Sequence, residues 1–231
     1  MSVTLAIETS NPSAAGPGQP GVAVRAGSTI VVEPVGAGRE DDLMPAIERL
    51  FARVGIGPRE IALIAVSIGP GGFTALRVSI TVAKALAYSC GAACIAVPTA
   101  AALAAGARHA GLSGRIGVLL ACKGETSFAS VFEDGSQEAC ESRLIDASQV
   151  EQLKVGTIIA DQFLPEAMRA ACARLGIALQ PPRFDAAEVL RLGESLHAAR
   201  GATPADELAP IYAREPEAVT KWRKLHPEAG A

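Results

Sequence analysis

The stretch from Ile61 to Ala105 constrains the fold of this 231-residue chain more than any other. It opens with an uninterrupted apolar run, Ile61 to Ile68, and turns through Gly69-Pro70-Gly71-Gly72 into a long segment of helical spacing. A second apolar run, Ala92 to Val97, follows, and Thr99 opens another helix. The helix after the glycines is apolar around nearly its whole circumference, which a lone surface helix cannot be. It must be covered on more than one side, by the rest of the chain or by a partner.

With 49% hydrophobic and 19% charged residues the chain is globular and able to bury a core as one large domain or two lobes. Aromatic residues are only 4%, so Ala and Gly fill the interior and elements pack closely. Twenty-one basic against 24 acidic residues leave a net charge of -3, unlike a surface built to neutralise phosphates. Cys90, Cys94, Cys122, Cys140 and Cys172 are odd in number and lack CxxC spacing, which argues against a disulfide framework or a zinc knuckle. Pro98, Thr99 and Gly106 break the longest apolar stretches below membrane-span length, and the start of the chain has no basic, signal-like lead. A cytoplasmic protein with no membrane contact is expected.

Val3 to Ile7 predicts a strand ending in Glu8-Thr9-Ser10, and the Pro/Gly/Ser-dense segment Asn11 to Gly21 a loop. Val22–Arg25 and Ile30–Val35 read as a hairpin. Asp41 or Asp42 is placed to cap a helix through Leu43, Ile47, Leu50 and Val54, ended by Gly55. After a polar break near Arg108 to Gly114 the pattern restarts with strands at Ile116–Ala121, Phe128–Phe132 and Ala139–Ile145. A helix near Ser148–Lys154, a strand at Val155–Ala160 and helices at Pro165–Leu175 and Asp185–Arg200 complete it. Two copies of β-β-β-α-β-α resemble the duplicated α/β fold of the actin, sugar-kinase and Hsp70 (ASKHA) superfamily. That plan places a first lobe at residues 1–110 and a second lobe with its tail at 111–231; the family resemblance given below implies that the first is the partner-binding lobe.

That resemblance implies a phosphate loop after the first strand, so Glu8, Thr9 and Ser10 are the phosphate-site candidates, although they also serve simply to end a strand. Where the second lobe should supply an acid stands Cys122, and Ile158-Ile159-Ala160-Asp161 replaces the expected glycine pair. GPGG lacks the Lys-Ser/Thr of a Walker A loop. His109, His197 and His226 are scattered, so no metal site and no cofactor are expected, and no Ser or Cys has a His-and-acid set. On the helix after GPGG, Ala75, Ser79, Ala83 and Ala87 form a ridge of small residues that lets another helix approach closely. Arg77, Thr81, Lys84 and Tyr88 form a narrow polar stripe on the same helix. The ridge, with Lys84, is the candidate partner interface, its alternative being the chain's own Asp42–Val54 helix. The basic tail Lys221–His226 with Trp222 reads as a solvated terminus or an RNA contact.

The order Leu5–Ser10 (LAIETS), Gly69–Arg77 (GPGGFTALR), Ile95–Ala104 (IAVPTAAALA) and Pro210–Arg214 (PIYAR) resembles the TsaB (YeaZ) family, whose signature reads GPGSFTGxRxG. The motif residues are Gly69, Pro70, Gly71, Gly72, Phe73, Thr74 and Arg77. Gly72 replaces the family's Ser, Ala75 its Gly, and Gly38–Asp42 its His-rich lead. The resemblance implies a non-catalytic paralogue of TsaD, which holds metal through an HxxxH helix absent here. It implies binding to a TsaD-like catalytic subunit through the first lobe, with a TsaE-like ATPase, in the complex that makes threonylcarbamoyladenosine on tRNA. It implies tRNA contact only through that complex and possible homodimers of the isolated chain. An independent ATPase or phosphotransferase, or a glycoprotease-like hydrolase, is the alternative.

Overall fold

The computed structural model describes residues 3–11, 20–36, 42–122 and 124–213, with Trp222 and Leu225. The lead residues Gly38–Asp41, most of the Asn11–Gly21 loop, Lys123, Arg214 and most of the basic tail lie outside the described residues. Strands β1 (Val3–Glu8), β2 (Gly21–Ala26) and β3 (Thr29–Pro34) lead to helix α1 (Leu43–Val54), β4 (Ile61–Ser67), α2 (Phe73–Cys90), β5 (Ala93–Val97) and α3 (Thr99–His109). The second copy runs β6 (Ile116–Ala121), β7 (Ser127–Phe132), β8 (Glu141–Ile145), a 3-10 helix (Ala147–Leu153), β9 (Thr157–Ala160), α4 (Glu166–Leu175), β10 (Ala178–Gln180) and α5 (Ala186–Arg200).

The two sheets repeat one plan: order β3-β2-β1-β4-β5 and order β10-β9-β6-β7-β8. In each, the first three strands form an antiparallel meander and the others add in parallel through helical crossovers. This is the expected duplicated ASKHA-like fold.

Three apolar layers hold it together. The outer face of the first sheet packs under α1 and α2 through Leu5, Ile64, Leu50 and Ile80, and that of the second under α4 and the 3-10 helix through Leu119, Val150 and Met168. Between the sheets lie α3 and α5 with Ala65, Ile95, Phe132, Leu190 and Leu196. The two halves exchange helices there. Helix α5, from the second half, rests on β1, β2, β4 and β5 of the first sheet, while α3, from the first half, leans on β6 and α5. The boundary expected at residue 110 falls between α3 and β6, and the packing of α5 on the first sheet was not legible, because periodicity tells which face of a helix is apolar and not which sheet it meets. Contact is close because a Cβ on Gly193 would sit 2.4 Å from Ala65 Cβ.

Further corrections concern local chemistry. Asp42 occupies the α1 cap position, yet its carboxylate makes no capping bond to the helix. It accepts instead from Gly36 N–H at 2.8 Å and from Arg49, tying the chain before the helix to its second turn. The helix expected near Ser148–Lys154 is 3-10, with Asp146 accepting from Ser148 N–H at its start.

The small-residue ridge of α2 is turned into its own chain. Ala75, Ser79, Ala83 and Ala87 are all buried within the chain, and α2 packs on β4, β5 and β1 while α1 covers β2 and β3. Small side chains here lower the helix onto its own sheet, and Lys84 is only half-buried beside them. We expect Ala83→Arg to lower the melting temperature by about 10 °C or more, because a guanidinium placed against the sheet is both oversized and unpaired. A melt unchanged by that substitution would contradict the packing.

Candidate functional site

The four sequence motifs, up to 200 positions apart, meet at one corner between the sheets. Gly69, with φ of +92° in the left-handed region, receives Thr99 N–H on its carbonyl at 2.9 Å and donates its own N–H to Thr99 Oγ1 at 3.1 Å. Gly72 N–H donates to Ser10 O at 2.6 Å, and Thr9 Oγ1 donates to Ala75 O at 3.3 Å. A Cβ on Gly71 would stand 2.1 Å from Ser10 O, so only glycine permits this approach of two backbones. The returning C-terminal segment closes the corner, with Ile211 N–H donating to Ile68 O at 2.7 Å. Beside it the Phe73 and Tyr212 rings lie 5.5 Å apart and Arg77 sits 5.0 Å over Phe73, a cation–π contact at a half-exposed pair. The motif residues are therefore a structural clasp, with Phe73, Thr74 and Arg77 on its outer side.

The phosphate-site candidates are consumed inside that clasp. Glu8 is 1% exposed, and its Oε1 accepts from Ser10 N–H at 2.7 Å and Ser10 Oγ at 2.6 Å. Burial pushes its pKa up; the Ser10 bonds oppose this, as does the neighbouring Ser67 hydroxyl, and Asp185 adds to it. That Ser67 hydroxyl is buried and makes no hydrogen bond of good geometry among the described residues, although it lies near enough to favour the Glu8 charge.

A pH test follows. The folded state raises the Glu8 pKa above its ordinary 4.5, so its contribution is fully present below 4.5 and is lost as pH rises through the folded value. Glu8→Gln keeps an acceptor for Ser10, brings a donor for Ser67 and stays neutral. Its melting temperature should exceed the parent's at pH 8 and the gap should close toward pH 4.5, each pH unit by which the pKa is displaced being about 1.4 kcal/mol, or about 3–6 °C in a chain of this size. A gap that widens on acidification would contradict the burial argument. Glu8→Ala would instead strand the Ser10 donors and is the poorer probe.

Outside the clasp lies a cleft of about 390 Å³ lined by Asn11, Gly71, Gly72, Cys122, Asp161 and Phe163. Sequence reasoning missed its bridge: Asn11 Nδ2 donates across to Asp161 Oδ2 at 3.2 Å, joining the ends of β1 and β9. Burial raises the Asp161 pKa, against the Phe163 N–H (3.0 Å), Asn11 and the Arg169 charge. Cys122 stands in the cleft where an acid was expected. His109 closes the last turn of α3 and meets Glu188 Oε1 at 3.0 Å, and among the described residues no three His, Cys, Asp or Glu side chains gather as a metal site would require. A further exposed feature is the outer face of α2, where Arg77, Thr81 and Tyr88 are exposed, Tyr88 by 94%, beside half-buried Val78, Val82 and Lys84.

Comparison with known proteins now bears on this geometry. The family described as TsaD, tRNA N6-adenosine threonylcarbamoyltransferase, matches residues 32–223, well over half of the chain. The chain belongs to that family. It is 32% identical over 108 residues to the tRNA threonylcarbamoyladenosine biosynthesis protein TsaB of Bacillus subtilis, an alignment covering 46% of this chain and 44% of the relative. The chain thus matches less than half the length of that curated relative. Its fold is similar to YeaZ from Pseudomonas aeruginosa, with a TM-score of 0.72 at 19% identity over 92% of this chain and all of the other. A second structure, titled as an uncharacterized protein with similarity to peptidase YeaZ from Pseudomonas aeruginosa, gives the same TM-score of 0.72 and identity of 19% over 93% of this chain and all of that one. The TsaB and YeaZ relatives agree with the resemblance carried by the GPGGFTALR motif. Among the described residues no helix is long and apolar enough to cross a membrane.

Proposed function

We propose that this TsaD-family chain is a non-catalytic subunit of the machinery that makes N6-threonylcarbamoyladenosine on tRNA, and that it binds and supports a TsaD-like catalytic subunit. The observation that carries this reading is the closed Glu8–Ser10 turn. Phosphoryl and acyl-phosphate chemistry in this fold needs open donors and a metal ligand at that turn. Here the carboxylate is spent on Ser10, and Gly71 lies against the Ser10 carbonyl where a phosphate would have to enter. Cys122 in place of an acid across the cleft favours the same reading over an independent ATPase or phosphotransferase.

The partner surface, on this reading, is the outer face of α2 with Arg77, Thr81, Lys84 and Tyr88, and not the buried ridge. Exposed aromatic and arginine residues on a partly apolar helix are the usual anchors of such contacts. A TsaE-like ATPase completes the assembly, tRNA is met through the complex, and the isolated chain uses the same face to form a homodimer. Thr81→Arg should weaken co-purification with the organism's own TsaD-like protein by about tenfold or more, ~1.4 kcal/mol, with an unchanged melt. Full co-purification by that variant would reject the assigned face. Magnesium-dependent ATP binding by the isolated chain would favour the phosphotransferase reading.

A further inference from the structure

A second cavity shares Pro70 with the Asn11–Asp161 cleft and has room for about 170 Å³ where β7 and β8 meet α3 and α5. Phe128, Phe132, Pro98, Ala101, Leu196 and Ile211 supply its walls, which are mostly apolar. An apolar cavity of about 150 Å³ accommodates a benzene-sized group, whereas drug-sized sites start near 300 Å³. One branched or aromatic side chain matches the space.

Its polar lining is confined to a few groups. Arg200 and Glu138 both line it, and their Nη1–Oε1 separation of 3.5 Å is long for an ion pair, with side chains 45% and 72% exposed. Such a pair contributes little by itself. Arg200 Nη2 is held to Ala96 O at 3.3 Å, which keeps the guanidinium at the end of α5. Gln137, also in the lining, accepts from Ser195 Oγ at 3.0 Å and retains its amide NH2 as a donor. A cation and an anion beside an apolar chamber of side-chain size are complementary to one chemical class.

We propose that this cavity binds a free α-amino acid with an apolar side chain. The side chain enters among Phe132, Leu196 and Ile211, the carboxylate pairs with Arg200, and the ammonium pairs with Glu138. Binding replaces one long, exposed ion pair with two charge-assisted contacts at the edge of an apolar wall, where they are screened less than in open water. The inference does not rest on the proposed role in tRNA modification: Pro70 and Ile211 of the clasp also line the cavity, but Arg200 and Glu138, which would hold the amino-acid head group, belong neither to the clasp nor to the α2 face.

Calorimetric titration of the full purified chain with leucine and phenylalanine tests it. A dissociation constant of about 1 mM or tighter is expected for one of them. Arg200→Ala should weaken that binding at least about tenfold with the melting temperature held. Leucinamide, without a carboxylate, and 4-methylpentanoate, without an ammonium, should each bind about tenfold more weakly than leucine. Ala101→Met, which fills the chamber, should abolish binding in a protein that still melts cooperatively. Absence of binding to both amino acids, equal affinity for 4-methylpentanoate and leucine, or undiminished binding by Arg200→Ala would overturn the assignment.

Discussion

Gly193→Leu is expected to leave a protein that no longer melts cooperatively, and Gly193→Ala one that melts about 2–8 °C lower. The smaller change decides between two opposed effects. Alanine in place of a mid-helix glycine gains about 1 kcal/mol of helix propensity. Against it, the added methyl would sit 2.4 Å from Ala65 Cβ, with Ile95 Cγ2 at 3.3 Å and Val97 Cγ2 at 3.5 Å. Carbon atoms rest at about 3.5–4 Å, so α5 must rise off β4 and β5, and overpacking of this kind costs about 1–3 kcal/mol or more. Because α5 covers the first sheet while its chain belongs to the second half, lifting it loosens both. Ala65→Gly should rescue Gly193→Ala in part, with a coupling of about 0.5–3 kcal/mol in a double-mutant cycle. A Gly193→Ala protein as stable as the parent would show that the helix does not approach the sheet as described.

Gly71→Ala is the second large effect. The new Cβ would meet backbone, Ser10 O at 2.1 Å and Ser10 C at 2.8 Å, so no rotamer change relieves it. The loop must retreat, and the bond from Gly72 N–H to Ser10 O goes with it. Steric cost and a stranded carbonyl together amount to about 2–6 kcal/mol, or a fall of roughly 10 °C in melting temperature. The loss should appear as exposure of Glu8, whose raised pKa then relaxes toward its ordinary value. A variant with the parent's melt and the parent's pH profile would refute the clasp.

Much of this was readable from residue order. The apolar runs at Ile61–Ile68 and Ala92–Val97, the helical spacing of Leu43, Ile47 and Leu50, and the repeat of one β-β-β-α-β-α pattern fixed the elements and the duplicated plan, because periodicity reports local structure directly. The GPGG segment stood out because glycines at a strand-to-helix turn imply a close approach. What they approach, Ser10, lies 61 positions away and leaves no local trace. The Asn11–Asp161 bridge spans 150 positions and the return of Ile211 to Ile68 spans 143; neither residue type announces its partner. The ridge from Ala75 to Ala87 was legible as a close-packing face, but small side chains suit a sheet as well as a foreign helix, and only the three-dimensional arrangement decides between them. Asp42 shows the same limit at short range, since a capping residue in the capping position turned its carboxylate to Gly36 and Arg49.

The most direct test of the proposed non-catalytic role is the rate of tRNA threonylcarbamoylation in a reconstitution with the organism's TsaD-like and TsaE-like proteins, using the Glu8→Gln/Cys122→Ala double variant of this chain. Removing a group that takes part in proton transfer or charge stabilisation costs about 10²–10⁴ in rate. A scaffold whose buried carboxylate only braces Ser10 should give a rate within about twofold of the parent, with the complex formed in full. A fall to background with the complex intact would mean that these side chains take part in the chemistry, and that the chain is not the silent subunit proposed.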